Sequence, residues 1–280
     1  MREEALRQAV LRPSALWTDL RVVRQTGSTN ADLVAAAQAG APEGVVLVAE
    51  EQTTGRGRLG RSWHCPPYAG LTVSLLLRPG AAVPERRWPA VSASRYGWLP
   101  LLAGVALVEV VRGRGAIDAA LKWPNDLLTA RPGQPAGERW GKCAGILAEA
   151  VPNGQEPGVV VGIGLNVSLR ADELPRADAT SLVLAGSACV ERDVLLRALL
   201  DRFADWYARW RAAAGDPQAC GLRQAYLAGC ATVGRTVRVQ LPGGREQIGE
   251  AVDVDGDGRL VMLIDGAQTP IAAGDIVHVR

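Results

Sequence analysis

Residues 55–63 read Gly55-Arg56-Gly57-Arg58-Leu59-Gly60-Arg61-Ser62-Trp63, three glycines interleaved with three arginines and closed by a tryptophan. Glycine lets the backbone reach φ > 0 and come close to a ligand, so successive N–H groups can converge on an oxyanion. Arginine adds a planar fork matched to carboxylate or phosphate, and Trp63 offers a flat face on which a base can stack. The combination predicts an anion site that takes a nucleotide.

Of the 31 basic residues, all but Lys122 and Lys142 are arginine. Arginine serves solubility and surface pairing throughout, so the two exceptions mark positions that want a compact ammonium on a thin stem. Lys122 heads Lys122-Trp123-Pro124-Asn125-Asp126, and Lys142 lies in Gly141-Lys142-Cys143-Ala144-Gly145, ahead of Ile146-Leu147-Ala148. The only histidines, His64 and His278, leave little for a histidine-rich metal site or a Ser-His-Asp triad. The five cysteines are scattered, with no Cys-x-x-Cys pair, and read as free thiols.

These groups need elements to hold them. Gly27-Ser28-Thr29-Asn30 opens a helix that runs to about Ala39, with Ser28 or Thr29 as N-cap. Val45 to Ala49 and Leu71 to Leu77 read as buried strands, so the Gly-Arg segment is a loop between two strands. Pro100 begins a helix that ends near Gly113. Leu121 to Leu128 and Cys143 to Ala148 read as a strand pair around a proline- and glycine-rich tip, Arg131 to Gly141, and Val159 to Val167 as a further strand. Leu195, Leu196, Leu199, Phe203, Trp206, Tyr207 and Trp210 follow helical spacing from about Glu191 to Ala214, and a short helix follows Pro217 to about Ala228. After Cys230 the texture changes to short alternating runs punctuated by Gly243-Gly244, Asp255-Gly256, Asp257-Gly258 and Asp265-Gly266, the mark of a small β-barrel.

Three motif matches fail in context. Gly55-x-Gly57-x-x-Gly60 has the dinucleotide spacing, but Pro66-Pro67 forbid the helix that must follow. Gly137 to Cys143 is one residue short of a phosphate-binding P-loop and lacks its Ser/Thr. Asp253-x-Asp255-x-Asp257-Gly258 copies half of an EF-hand, with Ile264 where a bidentate Glu belongs, and is better read as hairpin turns. The net charge of +2 gives no global argument for nucleic acid, and no apolar run approaches the ~18 residues of a membrane span. With no apolar signal core at the N-terminus, a cytoplasmic location is expected.

Gly27-Ser28-Thr29-Asn30, Gln52 through Trp63, Lys122 through Asp126, and Gly141 through Leu147 with Gly162-Ile163-Gly164-Leu165-Asn166 occur in the order that resembles biotin protein ligase, over about residues 25–280. The resemblance implies an α+β catalytic domain at 1–231, on a mixed sheet of the class II aminoacyl-tRNA synthetase type, and an SH3-like barrel at 232–280. It implies formation of biotinyl-5′-AMP from biotin and ATP with Mg2+, then transfer of biotin to one lysine of a carboxylase's biotin carboxyl carrier domain, such as that of acetyl-CoA carboxylase. Joining a carboxylate to a phosphate brings anions together, so a positive, preorganised pocket is the main requirement.

By the resemblance, biotin contacts Ser28, Thr29, Asn30, Gln52, Arg56, Gly57, Arg58, Lys142 and Gly145. The nucleotide contacts Arg58, Arg61, Trp63, Lys122, Asn125, Lys142, Gly162, Gly164 and Asn166. Lys142, Arg58, Lys122 and Asp126 carry the chemistry: Lys142 bridges the biotin carboxylate and the α-phosphate, and Asp126 orients the incoming lysine or the magnesium. Trp63 lies against adenine, Asn166 bonds its edge, and Gly162 and Gly164 keep the strand clear where ligand lies. The Gly-Arg loop is also expected to close over the adenylate as a lid.

Some relatives repress transcription through an N-terminal DNA-binding domain. The stretch before Ser28 falls below the ~40 residues that normally support an independent core, so no DNA binding is expected, and the lack of an apolar run of spanning length argues against a membrane role. The assembly is expected to be a monomer or homodimer. Two alternatives stay open: a lipoate ligase-like enzyme that adenylates a different carboxylate, and a binding module that holds biotinyl-AMP, or a phosphate backbone, without transferring anything.

Overall fold

The computed structural model describes all residues except 14, 136–138, 152–156, 241–245, 273 and 279–280. Seven strands form one sheet: β1 (Asp19–Val23), β2 (Val45–Ala49), β3 (Gly70–Leu77), β4 (Ala119–Lys122), β5 (Asp126–Ala130), β6 (Trp140–Val151) and β7 (Gly158–Asn166), in the order β1-β2-β3-β7-β6-β5-β4. Only β1 and β2 run parallel, so the sheet is mixed. The central strands are apolar on both faces because both are covered, as Val159-Val160-Val161 illustrates.

One face carries the main core beneath α3 (Trp98–Gly115) and α4 (Arg192–Ala212). The other carries α2 (Thr29–Gln38), whose Leu33 and Ala37 pack with Val45, Leu47, Leu76, Val151 and Val160. Ser28 caps α2 by accepting from Ala31 N–H at 3.4 Å. Two short helices, α1 (Glu3–Val10) and α5 (Leu222–Gly229), flank α4 and α3.

A second, antiparallel sheet follows: β8 (Arg235–Gln240), β9 (Glu246–Val254), β10 (Leu260–Ile264), β11 (Ala267–Ile271) and β12 (Asp275–His278), ordered β11-β10-β9-β8-β12. Val237 and Val239 face inward while their neighbours are exposed, and Asp265 and Gly266 turn between β10 and β11 with φ of 50° and 81°. The Gly243-Gly244 turn and residues 136–138 of the 131–141 tip lie outside the described residues.

Three expectations need correction, and two elements had no predicted counterpart. Leu121 to Leu128 is not one strand. It folds back as the hairpin β4–β5 around 123–125, where Pro124 has no N–H for a ladder. α3 begins at Trp98, ahead of Pro100, because proline is tolerated in a helix's first turn. α1 and β1 had no predicted counterpart: α1 buries only Leu6 and Val10, and β1 shows no clean alternation. Finally, the stretch Ala93–Gly115 is long and apolar enough to cross a membrane, but 67% of its apolar window is buried within the protein, so it serves as a core helix.

Candidate functional site

The Gly-Arg segment leaves β2 and returns to β3 as a small ribbon. Gly57 N–H donates to Arg61 O at 2.6 Å, Trp63 N–H donates to Gly55 O at 2.9 Å, and Arg56 pairs with Ser62. The tip, Arg58–Gly60, needs left-handed backbone at Leu59 (φ 55°) and Gly60 (φ 72°). Gly55 is required by close approach, since a Cβ there would sit 2.8 Å from Gln52 Nε2 and overlap Trp63 O. Arg56 and Arg61 are exposed on this ribbon, whereas Arg58 reaches inward and donates to Asn125 Oδ1 at 3.3 Å and Gly274 O at 3.5 Å.

Trp63 folds down onto the sheet. A Cβ at Gly164 would lie 2.6 Å from its Nε1, and one at Gly145, opposite Gly164 in the ladder, would lie 3.1 Å from Cζ3. A Cβ at Gly162 would lie 2.9 Å from Asn30 Cγ. The β7 glycines thus clear room for the protein's own Asn30 and Trp63. The indole Nε1 of Trp63 is buried without a hydrogen-bond partner.

The N-terminus of α2 anchors a polar network. Gln52 Oε1 accepts from Thr29 N–H at 2.8 Å and Thr29 O–H at 2.9 Å. Ser74 Oγ lies 2.7 Å from Thr29 Oγ1 and 2.6 Å from Asn30 Oδ1, while Asn30 Nδ2 donates to Glu149 Oε2 at 2.7 Å and Leu147 O at 3.2 Å. Ser28, Thr29, Asn30 and Gln52 are thus gathered as a set. Ser74 and Glu149 join them without having been predicted. A lone serine in Leu71-Thr72-Val73-Ser74-Leu75 was the available signal, because a buried hydroxyl needs partners.

Lys142 Nζ pairs with Asp126 Oδ1 at 2.6 Å, both side chains about four-fifths buried. A register shift between β5 and β6 leaves Cys143 as the extra residue. It turns Lys142 toward Gly145, whose Cβ would lie 3.5 Å from Nζ, where simple alternation would put them on opposite faces. Lys122 faces Asp126 across the hairpin end. Burial pushes the Lys122 pKa below the usual lysine value, against the pull of Asp126 and Asp178, with Lys142 and Arg176 pushing the same way as burial.

Asn125 ties the pieces together, its Nδ2 donating to Ile146 O at 2.9 Å and its Oδ1 accepting from Arg58. Asn166 is buried, with Nδ2 donating to Thr180 O at 3.0 Å and Oδ1 lacking a partner. Segment 178–180 also borders the site: Lys142 N–H donates to Asp178 O at 2.8 Å and Thr180 N–H to Lys142 O at 2.9 Å. These backbone contacts leave no trace in the sequence. Among the described residues no three His, Cys, Asp or Glu side chains group to hold a metal ion, and Asp126 already neutralises Lys142. Asp126 thus stands beside both Lys122 and Lys142, so a Mg2+ there would need most of its oxygens from the nucleotide and water.

A polar seat at α2, an indole over two strand glycines, and two buried ammonium groups around one carboxylate suit a ligand with a neutral polar head and two anionic groups that meet near Lys142.

Comparison with known proteins agrees in kind. Residues 22–166 match the Biotin/lipoate A/B protein ligase family, and residues 232–279 match the Biotin protein ligase C terminal domain. The chain is 42% identical to the Biotin--[acetyl-CoA-carboxylase] ligase of Mycobacterium tuberculosis, over 99% of this chain and 96% of that one. It is 30% identical to the Bifunctional ligase/repressor BirA of Bacillus subtilis, over 84% of this chain and 66% of that protein. Among solved structures, biotin protein ligase from Aquifex aeolicus in complex with biotin and ATP superposes with a TM-score of 0.71 at 25% identity, covering 94% of this chain and all of that one.

Proposed function

Because the chain belongs to the biotin/lipoate A/B protein ligase family, we propose that it activates biotin with ATP and transfers it to a lysine of a biotin carboxyl carrier domain. The observation that carries this reading is the Lys142–Asp126 pair beside Trp63, at the junction of the polar seat and the nucleotide face.

In the first step the biotin carboxylate attacks the α-phosphorus of ATP. A C–O–P bond forms, the α–β bridge breaks, and pyrophosphate leaves. Ser28, Thr29, Asn30 and Gln52, with Arg56, Gly57 and Gly145, receive biotin. Lys142 spans carboxylate and α-phosphate, while Lys122, Arg58 and Arg61 balance the phosphate charge. Trp63 backs adenine and Asn166 Oδ1 accepts from it. Mg2+ is expected to travel on the nucleotide's own oxygens, since Mg2+ keeps waters and few protein ligands. In the second step the neutral amine of the carrier lysine attacks the acyl carbon. A C–N bond forms, AMP leaves with the C–O electrons, and the amine proton is released. Asp126, held by Lys142, faces the approach of that amine.

The second sheet is read as the SH3-like barrel of residues 232–280, following a catalytic domain at 1–231 of the class II aminoacyl-tRNA synthetase type. A carrier domain of acetyl-CoA carboxylase is the favoured acceptor, because the relative named for that reaction matches over nearly its full length.

The test is to incubate the protein with ATP, biotin and a carrier domain from the same cell, and to detect biotin on the carrier. Labelling that vanishes without ATP, or when the acceptor lysine is replaced by arginine, supports the reading. Labelling by lipoate but not biotin would move the chain to the lipoate branch of its family.

A further inference from the structure

The second sheet meets the seven-stranded unit at several points, among them Arg58 on Gly274 O and Arg223 on Val254 O, and most densely at one tight turn, Asp255–Gly258. The Asp255 carboxylate folds that turn on itself, with Oδ1 accepting from Asp257 N–H at 2.9 Å and Arg259 N–H at 3.0 Å, and Oδ2 accepting from Arg259 Nε at 2.7 Å. Three of its carbonyls point out to donors of the seven-stranded unit. Trp98 Nε1 donates to Gly256 O at 3.0 Å and approaches Asp255 O at 3.2 Å, Arg95 Nη1 donates to Gly256 O at 2.5 Å, and Trp123 Nε1 donates to Gly258 O at 3.0 Å. The approach is backbone against backbone, since a Cβ on Gly258 would lie 2.9 Å from Gly97 O.

Trp98 and Arg95 hold the turn from the start of α3 and the residues just before it. Trp123 does something else, because it sits between Lys122 and Asn125-Asp126. Its backbone N–H donates to Thr232 Oγ1 at 3.1 Å, and Ala231 N–H donates to Leu121 O at 2.7 Å. Both neighbours of Lys122 are thus tied to the chain that enters or forms the second sheet, while β4, as the last strand in the order, has a sheet partner on one side only. An edge strand left with one partner frays readily.

We infer that Thr232 and the Asp255–Gly258 turn are positioning elements for Lys122–Asp126, so that the second sheet sets the geometry of the phosphate side of the site through Trp123. This rests on the proposed ligase activity, but its mechanical part does not. Trp123 is a positioning residue: the bonds described place it against the second sheet, and its effect on substrate runs through Lys122, Asn125 and Asp126.

The experiment compares wild type with Trp123→Phe, Thr232→Val and Thr232→Ser. It measures biotin-dependent exchange of labelled pyrophosphate into ATP, biotin affinity by calorimetry, and amide hydrogen exchange at 119–130 against 45–49. Trp123→Phe and Thr232→Val are expected to lower exchange at subsaturating ATP by about fivefold or more, with biotin affinity within about twofold. Amides of 122–126 should exchange about tenfold faster, with 45–49 unchanged. Thr232→Ser, which keeps the hydroxyl, should restore both. If Trp123→Phe fails to fold, the Thr232 pair alone decides. Unchanged amide exchange at 122–126 in Thr232→Val overturns the inference, as does an equal loss of biotin affinity and turnover. A wild type without biotin-dependent exchange refutes the ligase reading, and the amide exchange of the variants then decides the positioning claim by itself.

Discussion

Trp63 rests on Gly164 so closely that a single added methyl carbon on the strand would lie 2.6 Å from its indole nitrogen. One ribbon residue and one strand residue thus pack as one surface, the floor of the proposed nucleotide face, and the same strand two residues earlier meets Asn30 at Gly162 in the proposed biotin seat.

The two glycines therefore separate the subsites by mutation. Gly164→Ala displaces Trp63 and is expected to weaken ATP binding by about tenfold or more while biotin affinity holds. Gly162→Ala displaces Asn30 and breaks its contacts with Ser74 and Glu149, so it is expected to weaken biotin by a similar factor. Calorimetry with each ligand checks both, and a pair of variants with the same profile would contradict the division.

Lys122 predicts a pH dependence. Its folded pKa lies below the ordinary lysine value because burial disfavours the charged form. If its charge supports phosphate binding, adenylation falls as pH rises through that lowered pKa, below the ~10.4 of a free lysine. Lys122→Arg keeps its charge at every accessible pH, so the alkaline limb of the rate profile should move upward. An alkaline limb at the same pH in both proteins would show that another group sets it.

Arg211 is fully buried at the end of α4 and carries the fold rather than the site. Its Nη1 lies 3.5 Å from Glu43 Oε1 and donates to Tyr207 O–H at 3.0 Å, and its Nη2 bonds carbonyls of Ala81 and Pro89. Arg211→Ala removes the guanidinium beside the partly buried Glu43, which keeps Tyr207 O–H and Arg78 N–H, and leaves the carbonyls of Ala81 and Pro89 without that donor, which should lower stability by about 3–5 kcal/mol in denaturant titration. A change under about 1 kcal/mol, the scale of an exposed pair, would contradict this.

What the sequence disclosed follows from what burial and periodicity encode. Ser28 as helix cap, the apolar runs of β2, β3 and β7, and the aromatic stripe of α4 were readable because one local rule decides each. The hairpin at 123–125 was hidden because Leu121 and Leu127-Leu128 give one apolar texture across it. The Gly-Arg segment announced an anion site by composition, yet nothing in that composition said that Gly145 and Gly164 seat Trp63. The partners supplied by Asp178, Thr180 and Gly258 are backbone groups, which every residue carries, so no residue type marks them.

The central claim is that Lys142, steered to Gly145 by the β-bulge at Cys143 and held by Asp126, joins two anions. The most direct measurement is biotin-dependent exchange of labelled pyrophosphate into ATP by wild type and Lys142→Arg. The account predicts exchange in the wild type and a loss of more than about tenfold, or ~1.4 kcal/mol of transition-state stabilisation, in the variant that keeps the charge and changes its shape. Near-normal exchange by Lys142→Arg, or no exchange by either protein, would contradict it.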